Sequence, residues 1–167
     1  MFSEAEEQIL TTLKGKYEDQ VLLTEKLYDF VTVTLKKDKI IEVIEFLRDN
    51  PGTQFRFLTT LCGIHYPQLS QIAVMYQLHN MHSGMRIRLK VYLPQDDPSV
   101  PTLTKVFPGA NWMERETYDF FGVKFEGHPD LRRILNVEEM IIFPMRKEYP
   151  LEDQTREDKV DEMFGRK

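Results

Sequence analysis

Between Glu114 and Leu135 the chain places five acidic residues, three arginines, four aromatic residues and one histidine in 22 positions. Paired carboxylates, here Glu114, Glu116 and Asp119, are the raw material of general acid–base catalysis. On a helix, Glu116 and Asp119 would be adjacent, but Arg115 lies four residues before Asp119 and can pair with it, so ion-paired structure is the better reading. Arginines mixed with aromatic rings are the residues that anchor contacts with other macromolecules. Arg115, Arg132 and Arg133 among Trp112, Tyr118, Phe120, Phe121 and Phe125 fit that use. A guanidinium can be buried when carboxylates or carbonyls meet its fork of donors. Some of the rings must be core, because helical spacing brings Phe120 and Phe121 beside Met113.

Other candidate chemistry is thinner. His79-x-x-His82, with His65 nearby in sequence, could supply metal ligands. A turn between strands frames such a site poorly, and no HExxH or CxxC accompanies it. Cys62 sits in an apolar stretch and reads as an inert buried thiol. No glycine-rich phosphate cradle and no GxSxG is present. Arg86, Arg88 and Lys90 form a cationic stripe on one strand face, read first as an exposed sheet face and second as a docking face. An RNA-binding sheet also needs aromatics for base stacking, and only Tyr92 stands on that strand. The net charge of -5 argues against general nucleic-acid affinity.

The elements that must position these residues follow from periodicity. A chain of 167 residues supports one domain, with an arm. Phe2, Ala5, Ile9 and Leu13 recur at helical spacing up to about Gly15. Val21 to Leu23 reads as a short strand and Tyr28 to Leu35 as another, with Val31, Val33 and Leu35 on one side. Asp38 reads as the N-cap of a helix through Arg48 that buries Ile40, Ile41, Ile44 and Leu47. Phe55 to Leu61, Ile72 to Leu78 and Met85 to Leu93 read as three further strands. Asn111 and Glu114 could form a capping box for a helix ending at Gly122. These elements predict an α+β fold: a two-layer domain with helices on a mixed or antiparallel sheet, over residues 1–135, and an extended charged C-terminal arm over 136–167. The single cysteine implies a reducing compartment, no apolar run is long enough to span a bilayer, and the acidic N-terminus argues against a leader peptide.

The spacing Glu114-Arg115-Glu116, Asp119-Phe120-Phe121, His128, Arg132, Ile134-Leu135 resembles the signature of the 30-kilodalton subunit family of respiratory complex I, known in the bacterial NADH-quinone oxidoreductase as the C subunit. Arg86 to Val91 resembles the family's basic strand. Ala110 to Met113 resembles its lead into the signature, and Pro144-Met145-Arg146-Lys147-Glu148-Tyr149-Pro150 its proline-flanked Arg-Lys segment. The likeness is close from about Ile72 to Pro150. One departure is Ile142-Phe143, where many members carry Gly-His. The resemblance implies a subunit of the hydrophilic arm of a proton-translocating NADH:quinone oxidoreductase, peripheral on the cytoplasmic side of the bacterial inner membrane and bound to the membrane only through the complex. It implies no catalytic residue, cofactor or metal in this chain, with FMN, iron–sulfur clusters and quinone held by partner subunits. The partners implied are the large quinone-site subunit (the D subunit) and the neighbouring cluster-bearing subunits, with no nucleic acid. Glu114, Arg115, Glu116, Asp119, Phe120, Phe121, His128, Arg132, Arg133, Arg146 and Lys147 would form the partner interface. An equivalent subunit of a membrane-bound hydrogenase or other quinone-linked dehydrogenase is the alternative.

Overall fold

A computed structural model describes residues 2–149. Helix α1, Glu4–Tyr17, begins with a capping box in which Ser3 and Glu6 satisfy each other's backbone N–H. It buries Ile9, Leu10, Leu13 and Tyr17, whereas Ala5, expected inside, is exposed. Strands β1 (Val21–Leu27) and β2 (Phe30–Leu35) form a hairpin whose turn residues Tyr28 and Asp29 both have positive φ. The strand is therefore shorter at its start than the alternation suggested, because Tyr28 belongs to the turn. Helix α2, Ile40–Asp49, follows a short 3-10 turn over Lys37–Lys39. That turn displaces the expected cap, and no Asp38 side chain bonds the helix N-terminus. Val43 rather than Ile41 joins Ile40, Ile44 and Leu47 in the core.

Strands β3 (Phe57–Tyr66), β4 (Gln71–His79) and β5 (Arg86–Pro94) complete a five-stranded sheet in the order β1-β2-β5-β4-β3. Only the β2–β5 pairing within it is parallel, so the sheet is mixed. One face is apolar row by row: Leu35, Val91 and Val74 are in register, as are Val33, Leu89, Tyr76 and Leu61. Against it pack α1, α2 and helix α3, Ala110–Phe121. Gly63 of β3 is in register with Val74, and a Cβ there would lie 2.5 Å from the Phe121 ring. The absent side chain is what lets α3 approach the sheet edge. Two short strands not foreseen in the sequence, β6 (Ser99–Pro101) and β7 (Lys124–Glu126), pair in parallel and flank α3.

The result is the expected α+β two-layer fold. Helix α3 ends where Gly122 takes a left-handed conformation, φ +76°, and its N–H bonds the carbonyl of Tyr118. Residues 127–149 contain no helix or strand, and 140–149 fold back against α3 and the end of the sheet. The charged stretch from Glu152 to Lys167, expected in the outer arm, lies outside the described residues.

Candidate functional site: a pinned irregular segment on α3

Asp119 emerges from α3 into a completely buried position. Its carboxylate accepts from Arg133 Nη1 at 2.7 Å, from the backbone N–H of Ile134, Leu135 and Asn136 at 3.1, 2.8 and 2.9 Å, and from Asn136 Nδ2 at 3.1 Å. Burial alone would raise its pKa. The Asn136 N–H, the Arg133 guanidinium and the Leu135 N–H outweigh that and hold it well below the usual carboxylate range. Arg133, also buried, donates to the Asp119 carbonyl at 2.8 Å and to the carbonyls of Met140 and Ile142. One carboxylate and one guanidinium thus satisfy the backbone polar groups of a segment that has no ladder of its own.

The other arginines work alike. Arg115 donates to the carbonyls of Arg132 and Arg133 at 3.2 and 3.0 Å and lies beside the Trp112 ring. The expected Arg115–Asp119 pair is therefore not made; Asp119 is taken by Arg133. Arg146 donates to the Phe121 carbonyl at 2.8 Å, capping the C-terminus of α3, where a cation is favoured. Phe143 touches both: its ring centre lies 5.1 Å from the Arg133 guanidinium and 4.8 Å from that of Arg146, and it meets Tyr118 edge-on. Phe143 is thus an aromatic bed for two arginines. Gly122 has no room for a side chain because Phe143 and Arg146 would lie 2.6 and 2.8 Å from its Cβ.

Glu114 does not cap α3; the helix begins after Gly109 with no side-chain cap. It points inward, accepting from Thr102 Oγ1 and the Leu103 N–H, both at 2.6 Å. Burial pushes its pKa up to about 7 against the opposing pull of those two bonds. The His128 ring accepts at Nδ1 from the Asp130 N–H, so its Nε2–H faces the Asn111 carbonyl at 3.3 Å, with Glu114 4.0 Å away. A carboxyl of shifted pKa beside a histidine is the pattern of an acid–base site. Both side chains are fully enclosed, however, and no substrate can reach them.

Of the eleven residues expected at a partner surface, Glu114, Arg115, Asp119 and Arg133 are buried within the chain itself, and the His128 side chain is enclosed too. Their hydrogen bonds are made within the chain. Phe120, Phe121 and Arg146 are half-buried. Glu116, Arg132 and Lys147 are exposed, with Arg132 paired to Asp130 at 2.9 Å. Sequence reasoning missed Asn136, Thr102 and the role of His65. That histidine, a possible metal ligand by its type, accepts from the Lys147 N–H at 2.8 Å and donates Nε2–H to Gln95, fastening the return segment to the sheet. No spacing signal marks these contacts, since they join distant loops.

The pinned segment turns large apolar side chains outward, together with Glu138 and Glu139. Ile141 is 93% exposed, Leu135 66%, Val137 63% and Trp112 61%, with Met145 and Ile142 also exposed. Large apolar side chains exposed above hydrogen-bonded backbone are the kind of surface that a partner covers. Residues 33–155 match the model of the respiratory-chain NADH dehydrogenase 30-kilodalton subunit family, and the chain belongs to that family. Curated relatives include the C subunit of the NADH-quinone oxidoreductase of Roseiflexus sp. (strain RS-1), 40% identical over 144 residues, which are 86% of this chain and 83% of that one. The corresponding C subunit of Mycolicibacterium gilvum (strain PYR-GCK) is 42% identical over 125 residues, 74% of this chain but only 55% of the relative's length. Among solved structures, the trypsin-resistant fragment (1–134) of Nqo5 matches with a TM-score of 0.63 and 30% identity, over 76% of this chain and 99% of that one. A chain of the membrane-bound sulfane sulfur reductase, an archaeal respiratory membrane complex, shares the fold: TM-score 0.72, 24% identity, over 87% of this chain and 85% of that one.

Proposed function

We propose that this chain is a subunit of the peripheral arm of a proton-translocating NADH:quinone oxidoreductase, that it holds no redox group of its own, and that it docks onto the large quinone-site subunit and the neighbouring cluster-bearing subunits. FMN, iron–sulfur clusters and quinone belong to those partners. The observation that carries this reading is the set of exposed apolar side chains Trp112, Leu135, Val137, Ile141 and Met145, on α3 and the backbone that Asp119, Arg133 and Arg146 hold against it. Exposed apolar surface rimmed by charge marks a contact site, and fixing it beforehand lowers the ordering cost of binding. Glu116, Arg132, Glu138, Glu139 and Lys147 supply exposed charge on the same stretch of chain. Rigid placement of the partners serves electron transfer from NADH to quinone, because a misplacement of about 1 Å at a reacting centre costs about a hundredfold in rate. Among the described residues no helix is long and apolar enough to cross a membrane. Attachment to the cytoplasmic side of the bacterial inner membrane would come through the complex.

Ile141→Asp together with Leu135→Asp tests the docking surface. Both side chains are exposed, so the variant is expected to fold, while the amount of assembled complex and its NADH:quinone activity in membranes fall severalfold. Normal assembly would overturn the assignment of this surface. The chain purified alone is expected to show no visible absorbance and no NADH oxidation; a bound chromophore would overturn the cofactor-free reading.

A further inference from the structure

The sheet has a second face that none of α1, α2 and α3 covers. Alternation on β5 sends Arg86, Arg88, Lys90 and Tyr92 to it, beside Met75 and Gln77 of β4, Thr32 and Thr34 of β2, and Cys62 and Tyr66 of β3. Alternate residues of one strand stand about 6.7 Å apart, so the three cations form an evenly spaced row. Among the described residues no carboxylate lies within ion-pair distance of any of the three. The nearby acids are Glu25, on β1 beside Thr32 and two strands away from Arg88, Glu6 and Asp29, which line a surface pocket with Arg86, and Glu116, whose charge helps raise the pKa of Cys62.

Two of the three cations are held in place before any ligand arrives. Lys90 is only 8% exposed, its ammonium between the Tyr66 and Tyr92 rings at 5.9 and 5.8 Å. Those two rings lean together across Ala73, with centres 5.5 Å apart. Arg88 lies 4.0 Å over the Phe30 ring and donates to Gln77 at 3.0 Å. Side-chain entropy usually lost on binding is thereby already lost.

We propose that this face docks an extended acidic segment of a partner polypeptide, with carboxylates at every second residue matching Lys90, Arg88 and Arg86. The spacing of side chains along an extended strand is the same on both sides, so successive carboxylates meet successive cations. Nucleic-acid phosphates offer similar charge. Here Tyr66, Tyr92 and Phe30 are engaged with each other and with the cations, and the exposed Phe57 stands alone at the end of β3, so no run of free rings is available for successive bases to stack on. This surface lies on the opposite side of the sheet from α3, and the inference does not depend on the function proposed above.

The full chain is titrated with a labelled synthetic peptide alternating glutamate and serine, with fluorescence anisotropy as the readout. Saturable binding that weakens with added salt is expected, weaker by about tenfold in Lys90→Gln and in Arg86→Gln. The latter is exposed and guards against a folding defect in the former. A peptide with its glutamates replaced by glutamine should not bind. No saturable binding, or binding indifferent to both substitutions, overturns the proposal. Tighter binding of an oligouridylate than of the peptide overturns it in favour of RNA. If peptide binds only after Glu152→Gln, Asp153→Asn, Glu157→Gln and Asp158→Asn are made together, the occupant is the chain's own C-terminal segment and the partner proposal is likewise overturned.

Discussion

Replacing Asp119 with asparagine removes one charge and almost no volume, which makes it the sharpest probe of the pinned segment. The carboxylate accepts five hydrogen bonds, one of them from a buried guanidinium. An asparagine has a single acceptor oxygen and turns its amide hydrogens toward donors, and Arg133 is left buried without a counter-charge. Removing one member of a buried pair costs about 3–5 kcal/mol. The loss falls first on residues 133–142, which depend on this pair, and not on the sheet. Native-state hydrogen exchange is the fitting assay, because it resolves local opening. In Asp119→Asn the amides of Ile134, Leu135 and Asn136 are expected to lose protection by about a hundredfold or more, since each 1.4 kcal/mol is a factor of ten. Amides of β4 and β5 should change little. Acid gives the same result in the unaltered chain. The folded pKa of Asp119 is depressed, so its contribution is present above the unfolded value of about 3.9 and is lost as pH falls below that value toward the folded one. Protection of the three amides within threefold of normal in the variant would refute the view that this carboxylate holds the segment.

Arg132→Glu and Arg133→Glu should behave as opposites despite being neighbours: urea unfolding should register under about 1 kcal/mol for the exposed Arg132 and about 3–5 kcal/mol for the buried Arg133. Gly63→Ala drives a methyl group into the Phe121 ring and should cost about 1–3 kcal/mol in thermal or urea melts, with part recovered by adding Phe121→Leu. Glu114 carries the reverse pH sign to Asp119. Its folded pKa is raised to about 7, so its contribution is full below the unfolded value of about 4.3 and is lost as pH rises toward 7. Glu114→Gln should therefore gain on the unaltered chain, by up to roughly 3 kcal/mol, as pH climbs between those limits, read from urea midpoints at each pH.

The sheet and its helices were legible because burial on one face writes a period into the sequence. Val31-x-Val33-x-Leu35 and Ile72-x-Val74-x-Tyr76-x-Leu78 are one-sided strands, and every one of those inward residues is buried. The helix starts were less legible. Asp38 and Asn111 are good capping residues, yet the chain enters α2 through a 3-10 turn and α3 after Gly109, since packing rather than capping sets where each helix begins. At the signature, the sequence showed an unusual mixture of charge and aromatic side chains but not its direction. Arg115, Asp119 and Arg133 turn inward because residues 127–149 form no ladder and their N–H and C=O groups need partners, and Glu114 does so to meet Thr102 and the Leu103 N–H. That demand comes from an irregular backbone, which leaves no periodic trace. Outward-facing Leu135, Val137 and Ile141 likewise sit where no period could assign them a side.

The parallel pairing of β2 with β5 has a consequence for synthesis on the ribosome. Residues 30–35 wait for residues 86–94 before their second edge is closed. Until then the emerging β1–β2 hairpin exposes the apolar side chains of Val31, Val33 and Leu35 beside an unpaired strand edge, the kind of surface that invites aggregation. Maturation of the nascent chain thus turns on one late event, the arrival of β5, and substitutions that slow it should lower soluble yield without changing the finished molecule.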